Sequence, residues 1–353
     1  MNRKPVMVFI SNLRTLSDMV DLYPPEWHER VRAARISPGY IASPPFDING
    51  VATGYLVLML RSGEEVMKDP VFAVDLTLEM TRYSAEDLDG DVIGLGSLTT
   101  SITKGGELVV KRIEERGWKI RATHGDTGSI AAIQDCIDVV GLRQDQTIAV
   151  IGAYGIIGSA LSRSFAQEDR RLILVGPKLD KLQGLEDRIV AEGGRRPDVV
   201  TPDLAAVSAA DCIITVTSHP ASLLAPEHVK RGAVIIDPAI PANVKSDPLW
   251  HEKDRDNIVV SNASQVRIPG VAVRSAMFGT YDDPDGCATS YACFAETIMN
   301  AVHRDADPHV GAIDSAFVRL TRQRFAAAGY AHAAPRMFGA DLGQLLVRRR
   351  APA

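Results

Sequence analysis

Three regularly spaced glycines are the first residues of this chain that could do chemistry. Gly152, Gly155 and Gly158 follow a β-branched run at 147–151 and open an amphipathic segment at 156–167. In a strand-turn-helix unit, such glycines permit the tight turn, the approach of a pyrophosphate, and the packing of the helix on its strand. The helix N-terminus then faces the phosphates. The predicted dinucleotide contacts are Gly152, Ala153, Tyr154, Gly155, Ile156, Ile157 and Gly158. The alternative is an ordinary glycine-rich turn.

The residues after the next strand indicate which dinucleotide is preferred. NAD sites commonly carry an acidic residue about twenty positions after the glycines, where it binds the ribose hydroxyls. Here the strand predicted at 171–175 is followed by Gly176-Pro-Lys178. Lys178 either faces the 2′-phosphate of NADP or is a solvated lysine at the start of a helix. Thr217 and Ser218 end another apolar run, at the sheet edge where such folds hold ligands, and complete the predicted NADP site.

Cys293 is the candidate nucleophile. It falls in the first turn of an apolar helix predicted at 289–302. Free N–H groups and the helix dipole favour a thiolate there, whereas burial beside Tyr291 and Phe294 raises the pKa of a thiol. Position alone leaves both a nucleophile and a packed core thiol open. Glu296, one turn further on, is either a proton-transfer partner or a solvated glutamate.

A polar glycine loop at 123–129 precedes a helix predicted at 130–140. Ser129 can cap this helix, and Thr127 and Ser129 beside its N-terminus could hold an oxyanion or a cofactor amide. A capped surface turn is the other interpretation. For His124, a hydrogen-bonded structural role is favoured over general acid chemistry.

The elements that must position these residues form an α/β chain. Alternation of strands and helices continues after the glycine turn, which predicts a doubly wound parallel, Rossmann-type sheet in the middle of the chain. We expect an N-terminal α/β substrate domain at 1–145, an NADP-binding domain at 146–275, and a C-terminal helical segment at 276–353 that carries Cys293. Further predicted strands are 6–11, 54–60, 91–97, 198–201, 211–217, 233–237 and 257–260, and further predicted helices are 16–20, 70–83, 312–328 and 339–348.

Composition limits the function classes. The 353-residue chain has a net charge of −5, which argues against a nucleic-acid binder. The four cysteines lack paired spacing and the histidines form no H-E-x-x-H motif, so we expect reduced thiols and no zinc site. The apolar run 6–10 is too short for a signal peptide, and no stretch reaches the length of a membrane span. We therefore expect a cytoplasmic protein of two or three domains.

Across most of its length the chain resembles the cyanobacterial long-chain fatty acyl-[acyl-carrier-protein] reductases, which form aldehydes from acyl thioesters with NADPH. The shared motifs are Phe9-Ile-Ser-Asn-Leu13, Ile93-Gly-Leu-Gly-Ser97, the loop around Gly125, the glycine turn and, most specifically, Ala292-Cys-Phe-Ala-Glu296. The family's acylated cysteine has the same setting, so the resemblance implies that Cys293 is the nucleophile and that residues 1–145 bind the acyl chain. The chain differs from the family's pattern at Tyr154, Ile156 and Lys178. It also differs in the 125–129 loop, where a histidine of the family is missing.

The resemblance implies covalent catalysis with NADP as cofactor and acyl carrier protein or acyl-CoA as acyl donor. Cys293 would attack the thioester carbonyl, and hydride transfer to the acyl-enzyme would release an aldehyde. Arg30, Arg32 and Arg35 are candidate contacts for the acidic carrier protein. Two alternatives stay open: an NAD(P)-dependent dehydrogenase of a hydroxyl or imine substrate with a structural Cys293, and a non-catalytic dinucleotide-binding sensor.

Overall fold

The computed structural model describes residues 3–21, 23, 25–219, 222–239, 242–252, 256–271, 287–303, 308–343 and 346. Pro220, which closely follows the predicted ligand residues Thr217 and Ser218, lies outside these residues, as do 285–286 and the arginines 348–350.

Helices and strands alternate along most of the described chain. The strands are β1 (Val6–Leu13), β2 (Tyr40–Ala42), β3 (Phe46–Ile48), β4 (Ala52–Ser62), β5 (Val92–Leu95), β6 (Arg121–Thr123), β7 (Ile148–Ile151), β8 (Leu172–Val175), β9 (Val199–Thr201), β10 (Cys212–Thr215), β11 (Val234–Ile236), β12 (Ile258–Val260), β13 (Gln265–Pro269), β14 (Cys287–Tyr291), β15 (Ala331–His332), β16 (Arg336–Met337) and β17 (Ala340–Asp341). The α-helices are α1 (Asp18–Asp21), α2 (His28–Ile36), α3 (Gly63–Lys68), α4 (Pro70–Glu86), α5 (Leu98–Ile102), α6 (Glu107–Arg116), α7 (Asp126–Val140), α8 (Ile156–Gln167), α9 (Leu179–Ala191), α10 (Ala292–Val302) and α11 (Ser315–Ala327). Short 3-10 helices cover Pro25–Trp27, Leu204–Ala209, Pro226–His228 and Pro248–His251.

The chain folds into two compact units, each made of two stretches of sequence. Unit 1 contains Met1–Gly128 and Gln265–Ala331, and unit 2 contains Ser129–Ser264 and His332–Ala353. The sequence suggested three consecutive segments. The units group the chain differently, because α10 and α11 belong to unit 1 and the residues after them belong to unit 2.

Unit 1 is built on a mixed sheet in the order β2-β4-β1-β5-β6, with β3 also paired to β4. The pairs among β4, β1, β5 and β6 are parallel, and β2 and β3 run antiparallel to β4. Every residue of β1 is buried, as expected for a strand covered on both faces. Gly94, in the strand predicted at 91–97, lies inside β5, where a Cβ would overlap the Thr297 side chain of α10. The glycine therefore allows α10 to pack closely on the sheet.

The helix predictions in unit 1 are confirmed in part. Asp69 caps α4, where its carboxylate accepts a hydrogen bond from the Phe72 N–H at 3.1 Å. The helix carrying Cys293 starts at Ala292 rather than at 289, since residues 287–291 form β14 and pair antiparallel with β13. Cys293 nevertheless lies in the first turn of α10, as predicted.

Unit 2 contains six parallel strands in the order β9-β8-β7-β10-β11-β12. This is the order of a doubly wound Rossmann sheet, so the predicted fold class is confirmed. The helix predicted at 156–167 is α8 with the same bounds. The helix predicted at 339–348 is wrong at its start, because Ala340–Asp341 forms β17 and pairs with β16. Over the described ranges, each helix is too short or too polar to cross a bilayer.

Candidate functional site

The glycine turn of unit 2 lies directly after β7, at the carboxyl edge of the sheet. Gly152 has a φ of +85°, and a Cβ there would lie 2.7 Å from the Val216 carbonyl oxygen at the end of β10. A Cβ at Gly158 would overlap the Gly152 carbonyl oxygen and lie 3.0 Å from the Cα of Ala153. Both glycines are therefore required by close backbone packing, one in the turn and one where α8 meets β7.

Gly155 has a different environment from Gly152 and Gly158. A Cβ there would meet only backbone oxygens of the Gly152 turn and of Val216, at 3.2 and 3.9 Å. Gly155 is also the N-cap residue of α8, and no side chain among the described residues caps that helix. The first helical hydrogen bond runs from the Ser159 N–H to the Gly155 carbonyl, so the N–H groups of 156–158 lie at the free helix N-terminus. This arrangement fits a pyrophosphate.

Two lysines lie near the end of β8, where a Rossmann fold holds the adenosine ribose. Lys178 is exposed and is the N-cap residue of α9. Tyr154 packs against Gly176, and the Lys181 ammonium lies 5.6 Å from the centroid of the Tyr154 ring. Lys181, which the sequence analysis missed, adds a second cation to this part of unit 2.

The two residues predicted after β10 differ in their surroundings. Thr217 donates a hydrogen bond to Asn243 Oδ1 at 2.9 Å and accepts one from the His219 N–H at 3.1 Å. Its methyl carbon would lie 2.9 Å from a Cβ at Gly152, so Thr217 lies against the glycine turn. Ser218 is exposed.

Asp237 holds the segment that carries Asn243. This carboxylate accepts hydrogen bonds from the Thr215 hydroxyl at 2.5 Å and the Val244 N–H at 2.8 Å. Burial raises the pKa of Asp237, although these hydrogen bonds oppose the shift. The sequence marked Asp237 only as the end of a strand; its role in the structure is to tie β10 to the 237–244 segment.

In unit 1, Cys293 is only partly exposed, and its surroundings oppose ionisation. Burial is the largest cause and the nearby carboxyl groups of Asp126 and Glu296 are the next, and together they raise the pKa of Cys293 to about 12. The N–H groups of Cys293 and Phe294 at the helix start lower it by less. From the sequence alone, either burial or the helix N-terminus could dominate the pKa of Cys293. In the structure, desolvation raises this pKa by more than the helix N-terminus lowers it. Near neutral pH the residue is a thiol.

Glu296 is not a solvated glutamate, since only 4% of its surface is exposed. Its carboxylate accepts hydrogen bonds from the Thr123 hydroxyl at 2.6 Å and the Gly128 N–H at 2.5 Å. Burial raises the pKa of Glu296 to about 7, against the effect of these hydrogen bonds and one from Asn300. Glu296 therefore links α10 to the end of β6 and to the first turn of α7.

The loop at 123–129 is shorter than predicted, because α7 begins at Asp126 instead of 130. Ser129 lies inside the helix and does not start it. Gly125 has a φ of +73°, and a Cβ there would overlap the Cβ of Cys293 and lie 2.8 Å from its Cα. Asp126 is the next residue in the chain. Desolvation and the nearby charge of Glu296 raise the pKa of Asp126 to about 8. Asp126 is not among the residues predicted from the sequence.

His124 has the structural role expected from the sequence. The residue is fully buried, and its Nδ1 accepts a hydrogen bond from the Asp126 N–H at 3.0 Å. Burial and the neighbouring His309, whose ring centroid is 5.2 Å away, lower the pKa of His124 to about 3. The imidazole is therefore neutral across the physiological range.

The three arginines predicted as a carrier-protein contact do not form one free group. Arg35 donates hydrogen bonds to the Leu60 carbonyl at 2.7 Å and the Glu65 carboxylate at 2.6 Å. Arg30 lies over the Trp27 ring at 4.7 Å, and Arg32 is exposed. Within the part of the chain that the structure describes, no group of three or more His, Cys, Asp or Glu side chains could hold a metal ion.

No family model matches the chain, and no curated protein matches it. Among solved structures, quinate dehydrogenase from Corynebacterium glutamicum in complex with NAD is 12% identical, with a TM-score of 0.45 over 92% of this chain and 100% of that one. L-tryptophan dehydrogenase from Nostoc punctiforme is 12% identical, with a TM-score of 0.43 over 98% of this chain and 86% of that one. The nucleotide-binding domain of glutamyl-tRNA reductase from Thermoplasma volcanium is 16% identical, with a TM-score of 0.27 over 38% of this chain and 87% of that one.

These findings overturn the resemblance to acyl-[acyl-carrier-protein] reductases. No family model and no curated protein matches the chain, and none of the similar structures named above belongs to that family. The acyl-thioester chemistry and the carrier-protein contact at Arg30, Arg32 and Arg35 depended on that resemblance, so we do not carry them further.

Proposed function

We propose that this protein is an NAD(P)-dependent oxidoreductase of the dehydrogenase type, acting on a hydroxyl or imine substrate. The observation that carries the proposal is the glycine turn after β7. Gly152 and Gly158 are fixed by backbone packing, and Gly155 leaves the N-terminus of α8 open beside the switch point between β7 and β10. Ligands of doubly wound sheets bind at this point, outside the carboxyl ends of the strands.

The residues of unit 2 suggest how a dinucleotide is held. The N–H groups of 156–158 would bind the pyrophosphate, and Thr217 borders the same turn. Lys178 and Lys181 supply positive charge near the end of β8, which favours the 2′-phosphate of NADP over the bare ribose of NAD. When bound, the nicotinamide dinucleotide supplies or accepts the hydride.

The state of Cys293 favours a dehydrogenase without a covalent intermediate. A cysteine nucleophile reacts as the thiolate, and burial beside Asp126 and Glu296 keeps this residue a thiol at neutral pH. We therefore assign Cys293 no nucleophilic role.

Titration of the protein with NADPH and NADH, followed by the fluorescence of the reduced nicotinamide, tests the cofactor site. We expect NADPH to bind more tightly, and Lys178→Glu to weaken NADPH by about tenfold or more while leaving NADH nearly unchanged. Lys111→Glu in α6 makes the same charge change in unit 1 and should leave both affinities as they were. An unchanged NADPH to NADH ratio in Lys178→Glu would remove this lysine from the site.

A turnover assay distinguishes a dehydrogenase from a non-catalytic dinucleotide-binding sensor. Cyclic and open-chain secondary alcohols and α-amino acids are offered with NAD⁺ and NADP⁺, and reduced dinucleotide is measured by absorbance. We expect turnover with at least one of these classes, retained in Cys293→Ser because no thiolate is required. Tight dinucleotide binding with no turnover on either class would instead favour the non-catalytic sensor.

A further inference from the structure

An aromatic ring occupies the third position of the glycine turn in unit 2. Tyr154 is half-buried, and its ring reaches the residue that follows β8. A Cβ at Gly176 would lie 2.8 Å from Cε1 and 3.1 Å from Cδ1 of Tyr154. Gly176 is not among the glycines with positive φ, so its backbone conformation does not require a glycine. The ring of Tyr154 is therefore what excludes a larger residue at the end of β8.

The same ring lies close to a cation. The Lys181 ammonium is 5.6 Å from the centroid of the Tyr154 ring, within the range of a cation–π interaction. Lys181 lies in the first turn of α9 and is exposed. An exposed lysine loses side-chain entropy when a ligand orders it, and a ring that favours one position reduces that loss.

Lys178 and Lys181 are two cations without acidic partners. Lys178 is the N-cap residue of α9 and Lys181 is the third residue of the helix, two positions whose side chains lie side by side. Among the residues that the structure describes, no carboxylate pairs with either ammonium, whereas Lys4, Lys111 and Lys230 each pair with one. Two unpaired positive charges beside each other fit a doubly charged anion such as a phosphate monoester.

We propose that Tyr154 is a positioning residue for the 2′-phosphate of NADP, because its ring holds the Lys181 ammonium beside Lys178 at the end of β8. The inference rests on the proposed function, since it requires a nicotinamide dinucleotide bound at the glycine turn. The N–H groups of 156–158 would bind the pyrophosphate, which NAD and NADP share. Tyr154 acts on the one group in which they differ, and Gly176 leaves the space that the ring needs.

A packing role for the ring makes different predictions. A ring that only fills the space beside Gly176 would affect stability and would change the affinity for NADPH and NADH alike. Two substitutions of Tyr154 separate the roles. Tyr154→Phe keeps the aromatic face and removes only the hydroxyl, whereas Tyr154→Leu keeps apolar volume without a π system.

A double-mutant cycle of Tyr154→Leu and Lys181→Gln tests the coupling, with Kd values for NADPH and NADH from nicotinamide fluorescence. Lys181→Gln should weaken NADPH about tenfold and change NADH by less than about twofold, because only NADPH loses a charge-assisted contact. Tyr154→Leu should weaken NADPH about three- to fivefold, the size of an exposed cation–π interaction, with little effect on NADH. In the Lys181→Gln background, Tyr154→Leu should have no further effect on NADPH. Tyr154→Phe should keep the parental ratio of the two affinities.

Two more variants complete the cycle. Gly176→Ala displaces the ring without removing it, so it should lower the preference for NADPH in the parent but not in Tyr154→Leu. This variant tests the proposal even if Tyr154→Leu does not fold. Lys230→Gln is the matched charge control in unit 2, because Lys230 pairs with Asp211 just before β10, at the amino edge of the sheet. It should leave both affinities as they were.

Phosphorus NMR of bound NADP⁺ gives a readout that a packing role would not change. A phosphate monoester loses its second proton at about pH 6, and neighbouring ammonium groups favour the dianion. The 2′-phosphate signal of NADP⁺ bound to the parent should therefore titrate at lower pH than that of free NADP⁺. In Tyr154→Leu and in Lys181→Gln the midpoint should move back toward that of free NADP⁺, and Tyr154→Phe should match the parent.

The outcomes separate this inference from the proposed function. Equal parental affinity for NADPH and NADH, an unchanged ratio in Lys181→Gln, or equal loss of both dinucleotides in Tyr154→Leu would overturn the role of Tyr154 and leave the dinucleotide site standing. Tighter NADPH binding in Tyr154→Leu would also overturn it, because the ring would then obstruct the 2′-phosphate. Absence of binding of either dinucleotide to the folded parent would overturn the proposed function as well.

Discussion

Substitution of Gly158 by alanine gives a direct test of the dinucleotide turn. The added methyl group would overlap the carbonyl oxygen of Gly152 and lie 3.0 Å from both the Cα and the carbonyl oxygen of Ala153. All three neighbours are backbone atoms, which cannot turn away as a side chain can. The start of α8 must therefore move away from the turn.

The size of the effect follows from these distances. Carbon atoms are at their optimal separation at about 3.5 Å or more, so the contacts with Ala153 must open by about 0.5 Å and that with Gly152 by more. Overpacking of this kind costs about 1–3 kcal/mol of stability. If the movement removes one N–H hydrogen bond to a phosphate, worth about 1.5–3 kcal/mol, the Kd for NADPH rises about 10- to 100-fold.

The matched control is Gly184→Ala, which also replaces a glycine of unit 2 by alanine. No described atom lies within 4 Å of a Cβ at Gly184, which lies inside α9. Gly184→Ala should therefore raise stability by about 0.5–1 kcal/mol through helix propensity and leave the Kd unchanged. Fluorescence titration with NADPH and thermal unfolding of both variants provide the comparison. Equal NADPH affinity in Gly158→Ala, Gly184→Ala and the parent would refute the assignment of this turn as the dinucleotide site.

Three further predictions concern stability. Phe294→Ala should lower the free energy of unfolding by about 3–5 kcal/mol in a denaturant titration, because Phe294 is fully buried and its ring centroid lies 5.3 Å from that of Phe9. Asp237→Ala leaves the Thr215 hydroxyl and the Val244 N–H without their acceptor, so Tm and NADPH affinity should both fall; unchanged values would exclude the linking role. Asp126 ionises near pH 3.8 when unfolded but near pH 8 when folded, so rising pH destabilises the parent across this window, by at most about 1.4 kcal/mol per pH unit. The Tm advantage of Asp126→Asn should thus grow with pH, and a constant difference would contradict the raised pKa.

Local patterns were sufficient to predict the parallel sheet of unit 2. Its strands β7 to β12 are short and mostly apolar, and the spacing of Gly152, Gly155 and Gly158 identified the turn and the start of α8. The parallel order then follows from the regular alternation of strands and helices. The Rossmann fold could therefore be predicted without any information on distant contacts.

The parts of unit 1 that the sequence misassigned depend on distant residues. Residues 287–291 form a strand because they pair with β13, which begins at Gln265, and no local pattern marks that partner. The contacts on either side of Asp126 likewise involve α10, far along the chain, because Gly125 lies against Cys293 and the Gly128 N–H donates to Glu296. For Glu296 a signal existed: it is the one charged residue of α10, and most of the others are apolar, which indicates a buried helix instead of a solvated surface.

The two-part composition of unit 1 affects how the protein can be assembled during synthesis. The strands β1 to β6 leave the ribosome first, but α10, which packs on β5 at Gly94, is translated only after the parallel strands β7 to β12 of unit 2. Until then the face of β5 that receives Thr297 lacks its cover, and Phe9 lacks its ring contact with Phe294. The newly made N-terminal sheet therefore exposes apolar surface until α10 has been translated. Newly made chains that expose such surface depend on chaperones.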